Sequence, residues 1–301
     1  MDSLSHITVS GMVKALQINL MRLIFSSGLL FCLPLQAQQS ITYSITDNPT
    51  EALIVELMKL GFERSPHTET LQFTAKRLNI NEARKIQMLH DGQLDVIWTG
   101  TTADYEHSLY PIRIPILKGM LGHRIFIIRT GEQQRFSQIS SFAQLQQIPL
   151  GQGKFWGDTK VLKNARMTVV DPVKYESLFH MLEGGRFDFF PRALHEPWSE
   201  VSSRQELNLT VEQKHLLIYP FALYFFVAKD NQVLGLQLYQ GLMNAIEDGS
   251  YDALFYNHPV IKETLSRSAL GQRMVHRLAN PNMSPDTPVN DARLWLDIDN
   301  L

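Results

Sequence analysis

Cysteine is nearly missing from this 301-residue chain, where Cys32 is the sole example. A single thiol forms no internal disulfide and no thiolate zinc site. An excess of one charge sign is missing too. The 28 basic and 30 acidic side chains give a net charge of −2, with no Lys/Arg-rich run. The electrostatic footprint of a nucleic-acid binder is therefore absent. No stretch holds the ~20 successive apolar residues that a membrane-spanning helix needs. Common enzyme signatures are lacking as well: the His-Glu-x-x-His zinc motif, the phosphate-binding loop and the Gly-x-Ser-x-Gly elbow. Gly151–Lys154 has neither the spacing nor the hydroxyl residue of a phosphate loop. The ten histidines are scattered, and His195–Glu196 alone makes a weak metal signal. No catalytic residue, cofactor or metal is expected.

What is present is a foldable composition. Hydrophobic residues make up 44% and aromatics 10%, enough to exclude disorder and to fill one large core or two medium ones. The N-terminus is the most legible part. Arg22 precedes the apolar run Leu23–Leu35, which contains Pro34 and is followed by the small residue Ala37. Charge, short apolar core and small residue together predict a secretory signal peptide over 1–37, cleaved after Ala37. Bulky Leu30 and Phe31 before Cys32 argue against a lipid attachment there. Without that segment the chain has no cysteine, as suits an oxidising compartment. A periplasmic protein is expected.

From Ile41 onward, β-rich runs alternate with helical ones. Ile41–Thr46 reads as a strand. Asp47–Thr50 offers a cap and an early proline for a helix over 51–63 that carries Leu53, Leu57 and Leu60 on one face. A strand near 70–74, a helix over 81–90 and the run Leu94–Trp98 follow. This order predicts βαβ units. It recurs over 148–190, and the two stretches end alike: Leu89, Gly92 and Asp95 match Leu182, Gly185 and Asp188 in spacing. In both, a glycine ends a helix and an aspartate opens a strand. Asp95 and Asp188 are read as structural. Helices are expected at 232–248 and 260–270, before a tail carrying Pro281, Pro285 and Pro288. The simplest partition puts 38–122 and 229–301 in one lobe and 130–221 in a second. The apolar strands 123–129 and 222–228 would cross between them side by side as a hinge.

These segments resemble the family 3 (amino-acid type) periplasmic solute-binding proteins. The resemblance rests on Leu89–Asp95, on Ser141–Leu145 ahead of Gly151 and Gly153, on Phe179–Asp188 and on Asp248–Asp252, and covers about 40–270. It implies an α/β fold of two lobes, each a mostly parallel sheet flanked by helices, that closes over a small solute. Two departures qualify it. The family's carboxylate-clamping arginine has no counterpart in Thr99–His107, and its amine-binding aspartate would fall near Ala193. An α-amino acid is therefore not indicated.

In such sheets, ligands gather beyond the carboxyl ends of strands. That rule selects 47–50, 98–105, 152–159 and 191–196. Thr99, Thr101, Thr102 and Tyr105 could bond a polar solute, or the threonines could cap helices. Phe155 and Trp156 could stack on a flat group, or pack into the core. Arg124, at the expected cleft floor, must be paired by protein or ligand. Arg192 could fork an anionic group, or bridge to Glu196 or Glu200, while Glu196 could serve a cationic one. Asp158 and Thr159 read as caps of the next helix. The expected ligand is a small anionic or zwitterionic solute. The expected partners are that solute and an inner-membrane permease of ABC type, with the chain a monomer. Two other functions are open: a dehydratase-like enzyme using Glu196 or Asp104, and a ligand-sensing module for a membrane signalling protein.

Overall fold

The computed structural model describes residues 40–66 and 71–298. The signal segment expected over 1–37, Cys32 included, lies outside them. Among the described residues no helix is long and apolar enough to cross a membrane.

The chain opens with strand β1 (Ser40–Ile45), which pairs in parallel with β2 (Gln72–Arg77). Between them runs helix Thr50–Glu63, started by Pro49 at its cap and by the Asn48 side chain, which accepts from the Thr50 N–H at 2.9 Å. Its Leu53, Ile54, Leu57 and Met58 are buried against the sheet side, as helical spacing dictates. Helix Glu82–His90 is capped by Asn81, which accepts from the Arg84 N–H. Strand β3 (Ile97–Gly100) begins later than its apolar run, because Asp95 is used as a tether. The Asp95 carboxylate takes the Thr42 N–H at 2.7 Å, and its own N–H donates to the Thr42 carbonyl at 2.8 Å. Strand β11 (Leu223–Val227) lies antiparallel between β3 and β4 (Tyr110–Ile112).

The larger sheet has β5 (His123–Arg129) near its centre. On one side stand β10 (His215–Ile218) and β12 (Met274–Arg277). On the other stand β8 (Phe189–Ala193), β6 (Leu150–Gly151) and β7 (Val169–Val170), and β9 (Leu209–Val211) pairs the far end of β5. Phe126, Phe136, Leu150 and Phe189 fill one face of this sheet, and Leu178, Phe179, Leu182 and Phe190 the other. A third apolar cluster runs across the molecule, joining Trp98 and Phe225 of the small sheet to Ile125 and Leu216 of the large one.

Three expectations change. The runs 123–129 and 222–228 are not adjacent neck strands, since β5 pairs only within the large sheet and β11 only within the small one. Each is apolar through its middle, over Ile125–Ile128 and Leu223–Val227, where both faces are covered, a pattern that buried central strands share with crossing strands. The chain passes between sheets at the segments 113–122 and 219–222 just before those runs, where the Tyr219 N–H donates to the Gly122 carbonyl at 3.0 Å. Next, the C-terminal part does not stay with the small sheet. After helix Pro259–Ser268, β12 joins the large sheet beside β10, and the tail returns so that the Leu296 N–H donates to the Lys118 carbonyl. Finally, the sheets are mixed rather than mostly parallel. The βαβ pairs β1–β2, β6–β7 and β6–β8 are parallel, while β5 and β11 run against their neighbours, apart from the distinct parallel pair β10–β12.

Candidate functional site

Between the two sheet systems lies a cavity of about 290 Å³, at the small end of the usual range for ligand pockets. All four segments selected from strand ends reach it. Asn48, Thr50 and Glu51 come from the turn after β1, Trp98 and Thr99 from β3, Trp156 and Asp158 from the loop after β6, and Arg192, His195 and Glu196 from β8 and the turn beyond. Arg124 enters from the start of β5.

Of the residues singled out by sequence, Thr99, Tyr105, Arg124, Phe155, Trp156, Arg192 and Glu196 line this cavity. Thr101 and Thr102 do not. They line a neighbouring space of about 900 Å³, which Tyr105, Phe155 and Trp156 also border. Both hydroxyls have structural partners. Thr101 Oγ1 donates to Glu106 at 2.6 Å, and Glu106 in turn holds Arg113 at 2.9 Å. Thr102 Oγ1 accepts the Tyr105 N–H at 3.2 Å and caps helix Ala103–Ser108. Asp104 also belongs to the second space, so it and Glu196 do not face one bound molecule.

Charge at the site is heavily paired. Arg124 is 3% exposed. Its Nη2 lies 2.5 Å from Asp158 Oδ2, and its Nη1 lies 3.7 Å from Glu196. The same Asp158 oxygen accepts from Gln152 Nε2 and from the Tyr219 hydroxyl, each at 2.8 Å. Asp158, expected as a helix cap, makes no capping bond and is instead the counter-ion of the cavity floor. Burial pushes the Tyr219 hydroxyl well above its ordinary range, so it stays a donor. Arg192 bonds Glu200 through Nε and Nη2, at 2.5 to 3.0 Å, and meets Glu196 at 2.9 Å. Its guanidinium lies 4.8 Å from the Trp156 ring centre and 4.9 Å from that of Phe190, and the Tyr175 hydroxyl donates to Glu200 at 2.5 Å. The bridge to Glu196 and Glu200 weighed against ligand contact for Arg192 is thus formed.

Among the described residues, Arg124 Nε, His195 Nδ1 and, beneath the floor, Gln152 Oε1 are buried polar atoms without a partner. Burial, followed by the charges of Arg124 and Arg192, pushes His195 down to about 3. It is neutral at physiological pH. Phe155 is 75% exposed at the mouth, while Trp156 is half-buried and stacks on Phe190 at 6.1 Å. Gly157 brings the large-sheet side against the small-sheet side, since a Cβ placed there would stand 2.9 Å from Thr102 Cγ2 and 3.3 Å from the Phe221 ring. Among the described residues, no three His, Cys, Asp or Glu side chains converge as metal ligands.

Asp158, His195 and Tyr219 escaped the sequence reading as site residues. Asp158 looked like a cap because it precedes a helix, and Tyr219 sits in the apolar stretch Leu216–Ala228 with no motif around it. Only the fold brings them to Arg124.

Compared by sequence, the chain matches no family model and no curated protein. Compared by structure, it is similar to YtmK from Bacillus subtilis, a probable amino-acid ABC transporter extracellular-binding protein. The identity is 18% over 75% of this chain and 99% of that one, with a TM-score of 0.54. It is similar to the VFT2 domain of BvgS from Bordetella pertussis, at 12% identity over 72% of this chain and 91% of that domain, with a TM-score of 0.53. An ancestral arginine-binding protein solved with glutamine matches at 13% identity over 73% and 97%, with a TM-score of 0.51. At such identities the likeness is one of fold, and the fold of this chain is the two-lobed α/β architecture of type II periplasmic binding proteins.

Proposed function

We propose that the protein captures a small polar solute in the cavity between its lobes and presents the closed form to an inner-membrane partner. The observation that carries this reading is the cavity itself, walled from both lobes, with Gly157 and Thr102 touching across its edge. A solute that contacts both walls only when they meet shifts the molecule toward the closed state. No group at the cavity needs to react for this to work. Glu196, the acid/base candidate, is held by the Ala193 N–H at 2.8 Å and by Arg192, as suits a positioning role.

Of the solute charges expected, a zwitterion fits better than a simple anion, because both guanidinium groups already face carboxylates. A monomer in the periplasm delivering its load to an ABC-type permease is the setting we infer. The fold is shared by a transporter binding protein and by the VFT2 domain of BvgS, so a sensing partner is the second reading. Titration calorimetry and small-angle scattering over a metabolite panel test the reading, with saturable binding and compaction expected together. Gly157→Val places a branched side chain against Thr102 and Phe221. It should weaken the affinity at least tenfold and leave thermal stability nearly unchanged. Equal affinity in that variant would mean that the lobes need not meet.

A further inference from the structure

The walls of the cavity are not electrically neutral. On the large-sheet side, Arg124 and Arg192 stand against Asp158, Glu196 and, directly behind Arg192, Glu200. On the small-sheet side, Glu51 faces in from the first turn of its helix, while Glu82 and Lys85 share one face of the next helix at the rim and offset each other. His195 adds no charge when neutral. Carboxylates thus outnumber cations, and each guanidinium already lies within 2.5 Å of an acid. A ligand carboxylate would enter beside three resident ones. In a site of low dielectric such like-charge contact is strongly unfavourable.

What is left unmet points the same way. Arg124 Nε is buried and has no protein partner. It offers a single N–H, which suits one neutral acceptor, whereas a carboxylate is recognised by the paired donors of a fork. Trp98, Tyr105, Trp156 and Phe221 supply ring surface in the same walls, and aromatic faces attract cations.

We propose that the solute is an organic cation with no carboxylate of its own: a protonated amine, quaternary ammonium or guanidine that also carries one neutral acceptor oxygen or nitrogen. Its charge sits between Glu51 and Glu196 against the aromatic wall, and its acceptor takes the Arg124 Nε–H. This inference rests on the solute-capture reading and replaces the anionic or zwitterionic solute weighed there with a single cationic substrate class.

The test is a matched panel measured by titration calorimetry: histamine with L-histidine, ethanolamine with L-serine, and choline with glycine betaine. Within each pair the members differ chiefly by a carboxylate, and succinate and glutarate serve as anions. The decarboxylated or alcohol member of at least one pair should bind tenfold or more tightly than its carboxylated counterpart, with no heat from the dicarboxylates. Glu51→Gln and, separately, Glu196→Gln should each weaken that binding at least fivefold. Glu51 lies outside the buried ion-pair cluster, so its variant stays informative if Glu196→Gln fails to fold. Tightest binding by an amino acid, by betaine or by a dicarboxylate overturns the charge assignment and leaves solute capture standing. If no panel member binds, and native mass spectrometry of protein from its own source shows no retained mass, both fall.

Discussion

Asp158 carries more of the site than any residue singled out from sequence. One of its oxygens accepts from Arg124, Gln152 and Tyr219 together. Removing it leaves a buried guanidinium, an amide and a phenol without the oxygen they share. Breaking a buried pair by deleting one partner costs about 3 to 5 kcal/mol. Asp158→Ala should lower the unfolding free energy by about that amount, read from urea melts, whereas Asp158→Asn keeps acceptor capacity and should lose less. A loss below about 1 kcal/mol for the alanine variant would mean that the pair behaves as an exposed one. Arg192 teaches the complementary lesson. Its bridges to Glu196 and Glu200 were legible because the partners lie only four and eight residues on, across a single strand-to-helix turn. The bond from Arg124 to Asp158 was not, since no periodicity links a strand start to a loop beyond the next strand. Thr101 and Thr102 fell out of the cavity for a local reason: short hydroxyl side chains next to a helix start bond the backbone and nearby acids first.

At the scale of elements, histidines mark the seams. His215 on β10 and His276 on β12 stack at 5.3 Å, with Nδ1 of the first 3.1 Å from Nε2 of the second. His123, at the start of β5, donates from Nδ1 to the Gly119 carbonyl at 3.0 Å. Burial pushes His123 and His276 down to about 4, and it lowers His215 as well. The folded protein therefore holds these rings neutral, while the unfolded chain takes up protons below the ordinary value near 6.5. The resulting stability is fully present above about pH 6.5 and is lost as the pH falls from there toward 4. The melting temperature should drop steadily over that window, and His276→Phe should flatten the slope. A flat profile between pH 7 and 4.5 would contradict the burial of these rings. Nothing in the sequence flagged the pairing of His215 with His276, because it depends on the unexpected arrival of β12 beside β10. The alternation of strands and helices was readable from local patterns. Which strand lies beside which was not, because a fully apolar run looks the same at the centre of a sheet as in a neck between two.

For the molecule as a whole, the segments 113–122 and 219–222, bonded to each other between the sheets, bear on any closing motion. Gly122 ends the first passage and Tyr219 opens the second. The Gly122 carbonyl accepts the Tyr219 N–H, and a Cβ at 122 would collide with the Tyr219 carbonyl oxygen. Backbone has no flexible end to swing aside, so even one methyl group must pry the two passages apart. Overpacking of this kind costs about 1 to 3 kcal/mol. The strain would fall on Tyr219 and Phe221, which tie the joint to the apolar face of Phe126 and Phe189 and to the cavity. Gly122→Ala should therefore lower stability by about that amount and alter the radius of gyration of the unliganded protein in small-angle scattering. Gly157→Val, which wedges the loop after β6 against the side chains of Thr102 and Phe221 and meets no backbone, should leave the unfolding free energy nearly intact and act on affinity alone. The two variants separate a joint from a jaw edge. If Gly122→Ala changed neither stability nor dimensions, the passage at Gly122 and Tyr219 would not be the pivot, and the returning tail that bonds Leu296 to Lys118 would be the element left to constrain the lobes.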